Sequence, residues 1–222
     1  MAGAEAEVHK GQSVYTPLFL KAYDVFVLGF SCRLVWRCPK AQMLAHYDRH
    51  IGARHLDVGV GTGYFLDKAS WPTDPTLSLV DLNANSLAAA SHRTGRFAPA
   101  ATDADILQPL PELPHAPFDS VGVNFLLHCI PGALPDKATQ VFAHVTPYVE
   151  PGGVVFGATI LRGGVRRTPP ARVLMAAYNR RGILHNRGDS LDGLTTALDA
   201  AFDSHTVDVV GCVALFAGKV AA

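Results

Sequence analysis

The sequence predicts a three-layer α/β domain, a doubly wound and mostly parallel seven-stranded sheet with helices on both faces. Three observations carry this. Short apolar runs alternate with amphipathic stretches from His55 to Ile160, the pattern of strands covered by crossover helices. A glycine-rich turn, Asp57 to Gly63, lies between the first such strand and the first such helix. The chain then ends on two β-rich runs, Thr206–Val210 and Cys212–Phe216, separated by Gly211 with no helix between them. Such a pair closes the sheet edge with an antiparallel C-terminal strand.

The elements follow in order. Residues 1–16 are polar, and apolar positions recur at helical spacing from Pro17 to about Cys32. Pro39 suits the first turn of a second helix running to His50. Together residues 1–50 form an N-terminal helical cover. His55–Gly59 reads as a buried strand, with a helix to about Ser70 after the glycines. Thr76–Asp81 is the second strand, and Asn83 caps a helix to His92. Phe97–Thr102 is a weak third strand and Phe118–Phe125 a fourth; Asp136–Tyr148 is a helix and Gly153–Ile160 a fifth strand. The excess segment 161–190 contains a short helix near Ala171–Arg181 and has the length of a substrate cap. A last helix, Leu191–Phe202, precedes the strand pair. The expected organisation is one domain, with the cofactor-binding core at 51–160 and the C-terminal helix and strands at 191–222.

Composition narrows the class. The 222 residues are 49% hydrophobic and 17% charged, a globular balance. Lys plus Arg and Asp plus Glu are equal at 19 each, so no basic excess favours a nucleic-acid partner. The four cysteines form no CxxC, which argues against a metal site. The N-terminus has no apolar signal core and no run reaches the roughly 20 residues of a membrane span. The expectation is a cytoplasmic protein, monomer or homodimer, independent of membrane and metal.

The chemistry-bearing signal is Asp57-Val58-Gly59-Val60-Gly61-Thr62-Gly63. Glycine lets the backbone turn sharply and approach a ligand, since no Cβ intervenes. The spacing is GxGxG; the dinucleotide fingerprint GxGxxG would place a glycine where Tyr64 stands. An NAD(P)-dependent oxidoreductase remains the alternative. Asp81 ends the second strand and can accept both hydroxyls of a ribose. Asp105-Ile106 follows the third strand, the acid placed for an adenine amino group and the isoleucine for its ring.

With the fourth strand Phe118-Asp119-Ser120-Val121 and the turn Pro151-Gly152-Gly153, these motifs resemble the class I S-adenosylmethionine-dependent methyltransferases, whose fold is Rossmann-like. The resemblance runs from His55 to Ile160, and the terminal strand pair extends it to Lys219. It implies S-adenosylmethionine as cofactor and S-adenosylhomocysteine as product. By this resemblance Gly59 and Gly61 face the methionine part, Asp81 the ribose, and Asp105 with Ile106 the adenine. Asn124 lies beside the methyl-donor end, and Asp57, Gly63 and Leu82 complete the cofactor set.

After the fourth strand stands Asn124-Phe125-Leu126-Leu127-His128, with neither an Asn/Asp-Pro-Pro-Tyr/Phe motif nor an acidic magnesium cluster. That resembles the small-molecule branch, with transfer to an O, N, S or C nucleophile. His128 is the expected base or substrate-orienting group, since its ordinary pKa suits proton transfer near neutrality. Tyr15, in the N-terminal cover, is the second catalytic candidate. Tyr23, Leu127, Tyr178, Asn179, His185 and Asn186 are candidates for the acceptor pocket. A cofactor-binding partner that has lost catalysis is the other reading.

Overall fold

A computed structural model describes residues 24–222. Seven strands form one sheet: β1 (Arg54–Val58), β2 (Thr76–Asp81), β3 (Ala100–Asp103), β4 (Phe118–Gly122), β5 (Val149–Ile160), β6 (Ser204–Val210) and β7 (Val213–Lys219). Their spatial order is β3-β2-β1-β4-β5-β7-β6. Strands β1 to β5 are mutually parallel, and β7 runs antiparallel between β5 and β6. The sheet therefore grows in one direction through β2 and β3 and in the other through β4, reversing at β1. Helices must leave such a reversal on opposite faces, which opens a crevice at the carboxyl ends of the strands.

The helices are α1 (Asp24–Val35), α2 (Lys40–His50), α3 (Tyr64–Lys68), α4 (Ala84–Arg93), α5 (Asp136–Val145), α6 (Pro169–Arg181) and α7 (Leu191–Ala201). One core joins α1, α2, α3, α4 and α6 to one face of the sheet, through Trp36, Met43, Tyr47, Leu66 and Phe156. The other packs α5 and α7 on the opposite face through Leu56, Phe118, Val141, Phe142, Leu198 and Phe216. Strand β1 shows how the alternation works. Leu56 and Val58 point into the second core, and His55 and Asp57 point toward α2. Space for those two polar side chains exists because β4 carries Gly122 opposite Asp57. A Cβ there would lie 2.7 Å from Asp57 Oδ2 and 3.2 Å from His55 Nε2.

Local chemistry sets most boundaries. The Asn83 side chain accepts from the N–H groups of Asn85 and Ser86 and starts α4. Thr168 caps α6, Pro169 and Pro170 fill its first positions, and Gly182 ends it in the left-handed region. Ser190 caps α7. Pro147 halts α5, since its ring removes an N–H donor; a single 3₁₀ turn, Thr146–Tyr148, replaces the last turn expected from sequence.

Other bounds differ from expectation for visible reasons. The described part of the first helix is wound with i to i+5 bonding, which its terminal Trp36 N–H to Ser31 carbonyl bond of 2.9 Å continues. Phe97 closes a 3₁₀ turn rather than opening β3. Strand β4 stops at Gly122 because Phe125 adopts φ +57, although Val123 and Phe125 still donate to the carbonyls of Phe156 and Ala158 on β5. Among the described residues no helix is long and apolar enough to cross a membrane.

The fit around Gly122 gives a direct expectation. Gly122→Ala is expected to lower stability by about 1–3 kcal/mol, the usual cost of forcing volume into a packed interior. Urea unfolding with an unchanged m-value would measure it, and a difference under 0.5 kcal/mol would show that Asp57 has room to move.

Candidate active site

The carboxyl ends of β1, β2 and β4 open into a cleft. Its walls are the 59–63 loop, the Asp81–Asn83 turn, residues 104–107, Asn124–Leu126, residues 129–131 and Ile183. All nine residues assigned above to the cofactor line it: Asp57, Gly59, Gly61, Gly63, Asp81, Leu82, Asp105, Ile106 and Asn124. The neighbouring Asp103 is exposed and is not part of the wall.

Gly61 has φ +53, and a Cβ built on it would meet no atom within 4 Å. Left-handed backbone and open space coincide there, so the turn presents bare backbone to the cleft.

Two carboxylates lie side by side in different settings. Asp57 is buried and accepts from the Tyr47 hydroxyl at 2.8 Å, with His55 Nε2 at 3.6 Å on the same oxygen. Burial and then the Asp57 charge raise the Tyr47 phenol well above its ordinary range, so it stays a donor. Tyr47 in turn stacks on Phe65, ring centroids 5.2 Å apart. Asp81 Oδ1 accepts the Asn83 N–H at 2.8 Å. Burial pushes Asp81 up to about 6, against the pull of the N–H groups of Asn83, Gly61 and Val60 and assisted by the nearby Asp57 charge. The N–H groups compensate its carboxylate only in part.

The 105–107 loop is held from both ends. Asp105 Oδ1 accepts the Leu107 N–H at 2.9 Å, and Ile106 is buried in the cleft floor. Two α5 side chains take its carbonyls: the His144 ring bonds that of Ile106 at 2.6 Å, and Gln140 that of Leu107 at 2.8 Å.

The far end of the cleft is apolar, made of Phe125, Leu126, Cys129, Ile130, Pro131 and Ile183. The structure does not bring His128 into the cleft. A 3₁₀ turn, Leu127–Cys129, swings Leu127 and His128 back onto the sheet, where they are 0% and 4% exposed. His128 Nδ1 accepts the Ile160 N–H at 3.1 Å and lies 3.3 Å from Thr159 Oγ1. The accepted bond puts the ring proton on Nε2. Burial, and secondarily the Lys137 charge, lower its pKa to about 3, so the ring is neutral near pH 7. That setting differs from the one expected of a base, and Leu127 likewise belongs to the core.

The remaining acceptor candidates are spread out. Tyr178 packs on the first core and its carbonyl takes the N–H groups of Ile183 and Leu184. Asn179 and His185 line a separate surface pocket with Gly132, Arg180 and Arg187. Asn186 is buried, donating to the Ile160 carbonyl at 3.0 Å and accepting from Asn179 at 2.7 Å. From the 161–190 segment, Ile183 is the residue that reaches the cleft among the described residues. Tyr15 and Tyr23 lie outside the described residues. Tyr47, Phe125, Cys129 and Ile183 were not singled out from sequence; an apolar pair directly after the Gly182 helix stop was the one available signal for Ile183.

The chain resembles known proteins along most of its length. A family model described as "Methyltransferase domain" matches residues 56–155. Demethylluteothin O-methyltransferase of Streptomyces thioluteus is 41% identical over 213 residues, covering 96% of this chain and 92% of its own. The physcion biosynthesis cluster O-methyltransferase of Aspergillus chevalieri is 39% identical over 208 residues, covering 93% of each. Among solved structures, the DhpI complex with SAH superposes with a TM-score of 0.64 at 20% identity, covering 97% of both chains, a likeness of fold.

The Tyr47–Asp57 bond is open to test. Tyr47→Phe removes the donor from a buried carboxylate and is expected to cost about 1.5–3 kcal/mol of stability, read as a lower urea midpoint. No change would mean that His55 or water takes over the charge.

Proposed function

From the membership of this chain in the class I S-adenosylmethionine-dependent methyltransferases, we propose that it methylates a hydroxyl oxygen on a small, largely apolar acceptor. The observation that supports the donor site best is the partly compensated Asp81 carboxylate beside the open space at Gly61. The residues fit the cofactor: Asp81 would accept the ribose hydroxyls, and Asp105 with Ile106 would take the adenine. The 59–63 backbone and Asn124 would flank the methionine portion, with Gly63, Leu82 and Asp57 completing that half.

When bound, S-adenosylmethionine supplies a methyl group on a positively charged sulfur, and S-adenosylhomocysteine remains as product. The task left to the chain is alignment, since displacement requires nucleophile, carbon and sulfur in line. The apolar wall of Phe125, Leu126, Ile130, Pro131 and Ile183 suits a flat acceptor held by contact rather than by charge. Oxygen as the nucleophile is supported by relatives named as O-methyltransferases. Another relative is named an N-methyltransferase, so nitrogen is the second reading. His128 serves here as a positioning group, its carbonyl accepting the His185 N–H at 2.8 Å and its ring fastening Ile160. Residues 161–190 act as the cap of the acceptor end through Ile183. Tyr15 and Tyr23 remain candidates in the N-terminal cover, and Asn179, His185, Asn186 and Tyr178 support the cap.

Asp81 provides a pH signature. Its neutral acid offers ribose hydroxyls a poorer acceptor than its carboxylate. Donor affinity is therefore expected to be constant above about pH 7 and to fall by up to tenfold per unit as pH drops through 6. Asp81→Ala is expected to weaken binding by about 2 kcal/mol, roughly 30-fold, and to flatten this dependence. Calorimetry at pH 5.5 and 7.5 measures both, and a wild-type affinity that does not change with pH would remove Asp81 from the binding set.

The acceptor reading is tested with methyl-labelled S-adenosylmethionine against 1-naphthol, an aromatic thiol and an aromatic amine. Label in the naphthyl ether, with the amine unmethylated, supports oxygen transfer; label in the amine alone overturns it.

A further inference from the structure

We propose that Lys137 is a positioning residue for methyl transfer, its ammonium group fastening the two backbone segments that form the acceptor end of the cleft. This rests on the reading that the Ile130–Ile183 end receives the acceptor. Lys137 lies in the first turn of α5, and its side chain is 2% exposed. Its ammonium meets three oxygens on three segments: it pairs with Asp189 Oδ2 at 2.8 Å and donates to the His185 carbonyl at 2.9 Å and the Ile130 carbonyl at 3.1 Å.

The three partners bear differently on the cleft. Ile130 is itself part of the apolar wall, and His185 is two residues from Ile183, the cap residue that reaches that wall. The His185 N–H also bonds the His128 carbonyl, so residues 128–131 and 183–185 are joined twice, once directly and once through the ammonium. Asp189, fully buried, holds the cation in place. Its Oδ1 accepts the Leu134 N–H at 3.3 Å, and its carbonyl accepts those of Arg162 and Gly163. The base of the 161–190 excursion is thereby closed on the same point.

Burial acts against both charges, lowering Lys137 and raising Asp189, and each partner opposes that shift in the other. Stability alone gives little reason to keep such a pair, since apolar residues of equal volume often serve as well. A geometric reason is at hand. An ammonium can hold three oxygens from separate segments at fixed distances, which an apolar side chain cannot do. None of these bonds touches the 59–63 loop, Asp81 or Asp105, so the device acts on the acceptor half alone.

The test removes both charges together, because Lys137→Met by itself strands Asp189 as a bare buried carboxylate and is expected to destabilise the whole domain. In Lys137→Met/Asp189→Asn, amide hydrogen exchange without ligand is expected to speed at least tenfold in peptides covering 126–132 and 182–190. Peptides covering 54–63 and 76–83 should stay within twofold of wild type, and so should the calorimetric Kd for S-adenosylhomocysteine. Lys137→Arg keeps a cation with donors for the same oxygens and is expected to restore slow exchange in both segments. The proposal is overturned if exchange in those segments is unchanged, if it rises equally throughout the sheet, or if the arginine variant matches the neutral pair. Wild-type protein that binds no S-adenosylhomocysteine would instead contradict the cofactor reading, because the exchange comparison uses no ligand.

Discussion

The reversal of the sheet at β1 is the constraint on which the rest of the molecule depends. Parallel neighbours on both sides force helices onto opposite faces, so the loops leaving β1, β2 and β4 diverge and a crevice stays open between them. The reversal also buries β1 on both faces, yet two of its residues, His55 and Asp57, are polar. Gly122 on β4 makes room for them, and Tyr47 on α2 supplies the hydroxyl that Asp57 needs. A helix outside the cofactor-binding core thus completes the floor of the glycine loop.

Charge is distributed along the cleft according to what must move and what must stay. Asp57 has its donor within the protein. Lys137 and Asp189 have each other, and two carbonyls accept from the ammonium. Asp81 has a carboxylate that burial disfavours and that the N–H groups of Asn83, Gly61 and Val60 do not fully offset. An acid short of donors at the mouth of β2 costs stability, and under the proposed function ribose hydroxyls would supply the missing donors. The opposite end of the cleft carries no such polar demand, and its shape is set by backbone segments tied together behind it.

How much of this was legible in the sequence varied with how local the cause was. Thr76–Asp81 and the Asn83 cap were readable because apolar alternation and a capping side chain act within a few residues. The GxGxG spacing placed the glycine loop for the same reason, since positive φ at Gly59, Gly61 and Gly63 is a property of the residues themselves. His128 was misleading because its orientation depends on where β4 ends. A strand continued to Phe125 would alternate its side chains in and out, but the positive φ at Phe125 and the 3₁₀ turn after it rotate His128 into the sheet. Leu127 turned with it. Lys137 and Asp189 were invisible for a different reason: they are far apart in the chain, and nothing in either neighbourhood marks a buried pair. Tyr47 falls within the helix expected after Pro39, and its role appears only once α2 is laid against β1.

Which ligand the cleft holds, and which way round it lies, decides the function of the molecule. A crystal structure of the protein with S-adenosylhomocysteine addresses both at once. Both ribose hydroxyls are expected within hydrogen-bond distance of the Asp81 carboxylate, the adenine against Ile106, and the sulfur turned toward Asn124 and the Phe125–Ile130 wall. A ligand seated elsewhere, or one in this cleft with its ribose turned away from Asp81, would contradict that placement.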